Sequence, residues 1–453
     1  MKTETNFTKG PIAGPLLLFS LPILLALFLQ ALYGAVDLMV VGKYAEAADV
    51  SGVAVGSQIM VTITGLVSSL SMGTTILLGQ KIGEGDEKSG GRIIGTSIVL
   101  FFSAGAALTV LVPLLSGALA RAMNAPAEAF SETKRYLSIC GAGYIMITAY
   151  NVLGSVMRGI GDSKTPFVTV LLASIFNITG DLFLVAKLHM GAAGAAVATV
   201  VSQSLSVVIS FLLLRRRRLP FRFSRADIRI DRAILRRILI FGAPIALQDL
   251  LVGLSFLVVL AIVNRLGLIA SAGVGVAEKV CAFIMLVPIA FMQAMSAFVA
   301  QNHGAGRDDR AVRGLRIAVG LSTVFGVVMF WAAFFHGDVL CGIFSRDAEV
   351  VAAGFQYVKA YGIDCLLTCF LFSFTGFYNG LGYTGFVMAE GIGAAFLIRI
   401  PVAWYMSRRT GQLFHIGLGV PLSTVGQITA CFLFYAVIRK RLSREERPAP
   451  REE

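Results

Sequence analysis

FSLPILLALFLQALYGAVDLMVVGK, residues Phe19 to Lys43, is an apolar run interrupted by one proline, one glutamine, one tyrosine and one carboxylate. Its length suits a helix that crosses a bilayer, which takes roughly 20 apolar residues for a hydrocarbon core of ~30 Å. Asp37 is the exception within it. At the centre of a spanning helix an aspartate costs roughly 2.5–3.5 kcal/mol on insertion scales, so its side chain is expected to face protein or water and not lipid. Gln30, Tyr33 and Asp37 are spaced three and four apart and share one helical face. That face is the candidate working surface. The competing reading is a helix-end aspartate turned to the headgroups, against which Val40 and Val41 continue the apolar run.

The rest of the chain has the same character. Of its 453 residues 56% are hydrophobic and only 14% charged, with a mean hydropathy of +0.79, whereas a soluble chain carries about 25% charged residues. This is the composition of an integral membrane protein. The net charge of +13 does not point to nucleic acid, because the basic residues fall between apolar segments, where they act as topology signals. Cys140, Cys281, Cys341, Cys365, Cys369 and Cys431 are scattered through apolar segments without a paired metal-ligand spacing and read as packing thiols. His189, His303, His336 and His415 lie near segment ends, so neither a metal site nor a cofactor is expected. The short polar start lacks a small-residue cleavage site, and the first apolar segment is expected to stay as a spanning helix.

Twelve windows meet the length criterion, at 12–41, 51–79, 93–119, 136–157, 166–186, 191–214, 237–264, 276–300, 312–335, 356–379, 385–407 and 417–438. With both termini inside, 27 of the 39 Lys and Arg residues fall on the inner side and 12 on the outer, the asymmetry expected of cytoplasmic loops. The loop with Arg215, Arg216, Arg217, Arg218, Arg222, Arg225, Arg229, Arg232, Arg236 and Arg237 carries most of that vote. It also separates two similar halves. Phe19, Pro22 and Ile23 recur as Phe241, Pro244 and Ile245, and GQKIGEG at Gly79 to Gly85 recurs as AQNHGAG at Ala300 to Gly306. A six-segment shift preserves direction, so the halves form a parallel repeat about an axis along the membrane normal. The expected fold is therefore an all-α membrane protein of twelve transmembrane helices in two six-helix lobes. The N-lobe is 1–214, the basic cytoplasmic linker 215–236 and the C-lobe 237–453. Pro22 and Pro244 are candidate hinges, since each removes a backbone donor and crowds the preceding turn; a static kink is the alternative.

The fifth segment adds Asn177 and Asp181, four apart on one face, and the sixth adds Thr199. At 1.5 Å per residue, Asp37 lies ~8 Å from Gly42, Asp181 ~9 Å from Lys187 and Thr199 ~12 Å from Gly191, which puts all three at similar depth in the outer half of the membrane. Two carboxylates facing one low-dielectric cavity would share a proton or take up a cation, and the oxygens of Asn177 and Thr199 suit sodium. A purely structural hydrogen-bond network is the competing reading. The second half does not duplicate the acid: Val259 stands at the position matching Asp37, and Asp249, Glu278, Asp364 and Glu390 lie elsewhere. RGIGDSKTP at Arg158 to Pro166 lacks phosphate-loop spacing and reads as a tight turn, with Pro166 starting the fifth helix.

Together, the proline-bearing first helix, GQKIGEG, RGIGDSKTP, the GAAGAAVATVVSQ run of the sixth segment and the repeat with its basic linker resemble the multidrug and toxic compound extrusion (MATE) family over essentially the whole chain. The resemblance implies a secondary transporter, not an enzyme. It would be a cation-coupled antiporter, driven by protons or sodium, that exports small amphipathic, often cationic drugs by alternating access. Within that family Gln30, Tyr33, Asp37, Asn177, Asp181 and Thr199 match the pattern of the DinF-like branch. Val252 and Thr368 stand where another branch carries carboxylates. On this reading Asp37, Asp181, Asn177 and Thr199 form the coupling site, while Gln30 and Tyr33, with Tyr150 and Asn151 on polarity alone, line the substrate cavity. The protein is expected to be a monomer in the inner cell membrane, with the bilayer as its other partner. A flippase for a lipid-linked precursor is the alternative and would call for a cationic cleft, towards which mid-helix Arg399 alone contributes.

Overall fold

The computed structural model describes residues 7–215, 221 and 223–442, with no strand among them. The chain termini and four of the linker arginines, Arg216, Arg217, Arg218 and Arg222, lie outside the described residues. In chain order the helices of the first half are α1 (Ala13–Tyr44), α2 (Ala47–Gly83), α3 (Glu87–Ala122), α4 (Phe130–Ala142), α5 (Tyr144–Ile160), α6 (Lys164–Asp181) and α7 (Gly191–Arg215). Those of the second are α8 (Arg232–Asn264), α9 (Leu268–Ile284), α10 (Leu286–Gly304), α11 (Asp308–Gly342), α12 (Ala348–Leu381), α13 (Thr384–Ala394), α14 (Ile400–Arg409), α15 (Leu413–Gly417) and α16 (Gly419–Leu442).

Among the described residues eleven stretches are long and apolar enough to cross a membrane, and a twelfth, Ala127–Ala142 with Tyr144–Ile160, is bent by 56°. They correspond one for one to the twelve apolar windows, and the protein is a multi-pass membrane protein. Large apolar side chains such as Leu114, Leu397 and Val437 are exposed on the spans, where lipid receives them. The fourth window, continuous in the sequence, is broken in the structure at Gly143, whose backbone leaves the helical region. A Cβ there would lie 2.3 Å from Val200 of α7. The glycine thus admits a neighbouring helix at the cost of helix continuity.

The residues form two compact units. One spans 25–246; the other combines 7–24 with 247–442. The boundaries fall inside α1 and α8 and not in the basic linker, and each comes two residues after a proline, Pro22 or Pro244. Both helices run unbroken through these prolines. In the first unit α2 and the start of α8 cross backbone to backbone: a Cβ on Gly73 would lie 2.2 Å from the Ile238 carbonyl oxygen, and one on Gly242 2.2 Å from that of Leu70. In the second unit Arg310 gathers the segment before α1. Its Nε donates to the Phe7 carbonyl and Nη1 to that of Gly10, each at 2.8 Å, while Nη2 reaches the carbonyls of Lys9 and Pro11. Phe7 packs edge-on against Phe19 and Phe298. The guanidinium satisfies carbonyls that an extended segment cannot pair internally.

The turns carry the repeat as geometry. Gly85 and Gly306 have φ of +71° and +67°, and Gly161 and Gly382 of +90° and +88°, a region that L side chains seldom enter. After Gly161 the Asp162 carboxylate accepts from the backbone N–H of Lys164 and Thr165, both at 3.0 Å, and starts α6 as the turn reading expects.

Candidate functional site

Asp37, Asn177 and Asp181 come together inside the first unit. Their relative exposures are 6%, 1% and 0%, so each is withdrawn from both lipid and water. The Asp37 carboxyl lies against those of Asp181 and the Asn177 amide. Even so, Asp37 Oδ1, both carboxylate oxygens of Asp181 and both amide atoms of Asn177 are buried without a hydrogen-bond partner. Buried polar atoms are nearly always paired, and a lone buried carboxylate is among the most costly groups in a membrane. Four unpaired oxygens and one amide donor thus converge from two helices, and the oxygens are acceptors that could receive a proton or a cation. Among the described residues neither Asp37 nor Asp181 forms an ion pair.

Local structure puts the acids there. Asp37 is carried by a continuous helix. Asp181 is the last α-helical residue of α6, which continues as a π-helical turn, Leu182–Lys187. A π turn holds one more residue than an α turn and turns the side chains around it off the α-helical register; such turns concentrate at functional sites. Gly180 packs on α7, where a Cβ would meet that of Ala198 at 3.0 Å. Thr199 is thus adjacent to the helix contact that Asp181 flanks from the other side, although its hydroxyl donates to the Ala195 carbonyl of its own helix at 3.0 Å.

A polar track leads away from the acids. Tyr33, one turn before Asp37, neighbours Asp37, Tyr150 and Gln203. Gln30 Nε2 donates to the Tyr150 hydroxyl at 3.2 Å. Arg158, two turns beyond Tyr150, donates to the Ser155 hydroxyl at 2.9 Å. Asn151 stands apart, its amide donating to the Ile147 carbonyl at 2.8 Å. Gln203 escaped the sequence reading; it lies four residues after Thr199, and that spacing was the available signal. Two carboxylates and an amide oxygen form a set of hard donors that fits a proton or a monovalent cation such as sodium.

In the second unit Asp249 is exposed, whereas Asp364 and Glu390 are buried. Thr368, at the position where a carboxylate would suit the other branch, donates its hydroxyl to the Asp364 carbonyl at 2.9 Å.

Comparison with known proteins bears on both halves. A family model described as MatE matches residues 22–183 and again 244–405, each match opening on one of the two prolines. The probable multidrug resistance protein YpnP of Bacillus subtilis (strain 168) is 27% identical over 434 residues, covering 95% of this chain and 96% of that one. YoeA of the same organism, also described as a probable multidrug resistance protein, is 25% identical over 441 residues, covering 94% and 93%. Among solved structures, an outward-facing multidrug resistance MATE family transporter of the MOP superfamily superposes with a TM-score of 0.89 at 19% identity, over 98% of this chain and 99% of that one.

Proposed function

Because the chain belongs to the MatE family, whose members are secondary transporters and not enzymes, we propose that it is a cation-coupled antiporter exporting small amphipathic, often cationic drugs by alternating access. The names of the two Bacillus subtilis relatives support the drug class. The observation that carries the coupling is the buried, unpartnered pair Asp37 and Asp181 with Asn177. Both acids cannot ionise together in a low dielectric without a counter-charge. The pair therefore takes up a proton or a sodium ion from the outer side, with both chain termini cytoplasmic. Coupling follows if the ion binds one conformation better than the other, since a ligand shifts an equilibrium only by its differential affinity.

In the proposed cycle, ion uptake at Asp37 alters the packing of the outer part of α1, and the polar track through Tyr33, Gln30 and Tyr150 relays the change to the substrate cavity. Pro22 and Pro244 serve as hinges. Each lies at the point where its helix passes from one unit to the other, which is where a rocking motion has to be absorbed. The coupling residues follow the DinF-like pattern, and the protein acts as a monomer.

The test is substrate efflux from proteoliposomes under a proton gradient alone and then a sodium gradient alone. One gradient is expected to drive efflux in the wild type and to fail in Asp37→Asn and in Asp181→Asn. Gradient-driven efflux at wild-type rate in both variants would overturn the coupling role.

A further inference from the structure

The second unit also buries acids, among them Glu390 and Asp364, and of these two the one with a charged neighbour is Asp364. Asp364 of α12 is 2% exposed, and its Oδ1 has no hydrogen-bond partner. Its neighbours are Thr424 of α16 and Arg399. Arg399 is 5% exposed and closes a π-helical turn, Ala395–Arg399, that follows α13. Its Nη1 donates to the Ser255 hydroxyl at 2.9 Å, its guanidinium lies 4.2 Å from the centroid of the Phe256 ring, and its Nε has no partner. Ser255 is itself oriented to receive, because its own hydrogen goes to the Val252 carbonyl at 2.7 Å. Tyr357 and Tyr361 of α12 complete the surroundings of the guanidinium. The other nearby acid, Glu278 of α9, neighbours Cys281 and Tyr357 and is not fully buried. Asp364 and Arg399 lie within electrostatic reach of each other, and no direct salt bridge joins them among the described residues.

We propose that Arg399 is a tethered counter-ion for Asp364, which occupies electrostatically the place that a coupling cation would take beside that acid and so withholds Asp364 from ion coupling. An arginine in an apolar helical unit is as costly as an aspartate and is retained only where something uses its charge. Here an aromatic face and one hydroxyl hold the guanidinium, leaving its field to a carboxylate that has no closer cation. The same unit thus contains an acid suited to ion binding and the charge that pre-empts it. This inference rests on the antiport reading and makes Arg399 a positioning residue that sets how many ions are exchanged.

The experiment measures the coupling ratio from the reversal potential of substrate flux in proteoliposomes for wild type, Arg399→Met, Arg399→Lys and the double variant Asp364→Asn/Arg399→Met. Arg399→Met frees Asp364, and the ratio of ions to substrate is expected to rise up to two-fold. Arg399→Lys keeps the charge and the wild-type ratio, and the double variant returns to that ratio. If Arg399→Met does not fold, the double variant decides. Folded protein with the wild-type ratio supports the inference, and folded protein with an altered ratio overturns it. An unchanged ratio in folded Arg399→Met also overturns it. Failure of the antiport reading is a separate result, seen as no reversal potential in the wild type or full coupling in Asp37→Asn.

Discussion

Asp37 is buried against a second carboxylate, Asp181, whereas Asp364 is buried within electrostatic reach of a guanidinium, Arg399. The two aspartates belong to different units of a chain whose turns still repeat glycine by glycine, so the backbone plan is shared and the charge plan is not. Each half contains a π-helical turn, at positions that do not match in the repeat: Leu182–Lys187 follows Asp181, and Ala395–Arg399 follows Ala394. In the first unit that turn begins after an acid and in the second it ends on a base. Two unit charges about 4 Å apart interact by ~4 kcal/mol at an effective dielectric of 20. For like charges a magnitude of that order calls for neutralisation by a proton or another cation; Arg399, beyond salt-bridge distance of Asp364, offsets part of that requirement there. On the proposed reading, a duplicated transporter half keeps its backbone plan while its charges are rearranged.

The largest expected effect breaks the first side of this comparison. Asp37→Asn or Asp181→Asn removes one of the two charges, and gradient-driven export should fall on the order of 100-fold, the upper part of the range that coupling free energies span. Substrate binding measured without a gradient should persist. The second side responds in another quantity. Asp364→Asn leaves Arg399 without its counter-charge and should lower stability by about 2 kcal/mol, discounted from the cost of breaking a direct buried pair. Thermal unfolding in detergent checks this, with ion coupling intact in the folded fraction.

Much of this contrast was open to sequence reasoning, and the part that was not has physical causes. The twelve spans follow from hydropathy because lipid leaves the backbone no alternative. The cost of burying a carboxylate and helical spacing turn Asp37, and Asn177 with Asp181, inward at similar depth, whereas the meeting of their two helices is visible only in the structure. The break at Gly143 depends on Val200, some 57 positions away in the chain, so no local pattern announces it. Neither π turn has a propensity signature. The role of Arg399 was hidden because Ser255, Phe256 and Asp364 meet it only in three dimensions. The unit boundaries inside α1 and α8 were likewise invisible, as helix continuity gives no hint of which neighbours each half of a helix will choose.

Smaller effects sharpen the comparison. Removing the 3.2 Å bond between Gln30 and Tyr150 by Tyr150→Phe should cost about 1 kcal/mol, seen as a several-fold change in substrate KM and a weakened dependence of that KM on the driving ion. No such shift is expected from Asn151→Ala, because that amide is occupied by its own helix. Least of all, the N-caps of matching helices differ between the halves: Asp86 caps α3 and accepts from the Ser89 N–H at 3.1 Å, whereas Arg307 precedes α11. The hydrogen bonding with Ser89 holds the Asp86 carboxyl below the usual carboxylate range. Its contribution is therefore present above the unfolded-state pKa and is lost as pH falls through the lower folded-state value. Amide exchange in the first turn of α3 should rise slightly on acidification below about pH 4, and Asp86→Asn should abolish that pH dependence.

The claim at the centre is that Asp37 and Asp181 of the first unit, and not Asp364 of the second, hold the exchanged ion. Isothermal titration of a cationic drug into detergent-purified protein, in buffers of different ionisation enthalpy and with or without sodium, counts the protons or sodium ions displaced on binding. Wild type and Asp364→Asn are expected to displace the same number, and Asp37→Asn/Asp181→Asn none. A double variant that displaces as many ions as the wild type, or an Asp364→Asn protein that displaces none, would contradict the account.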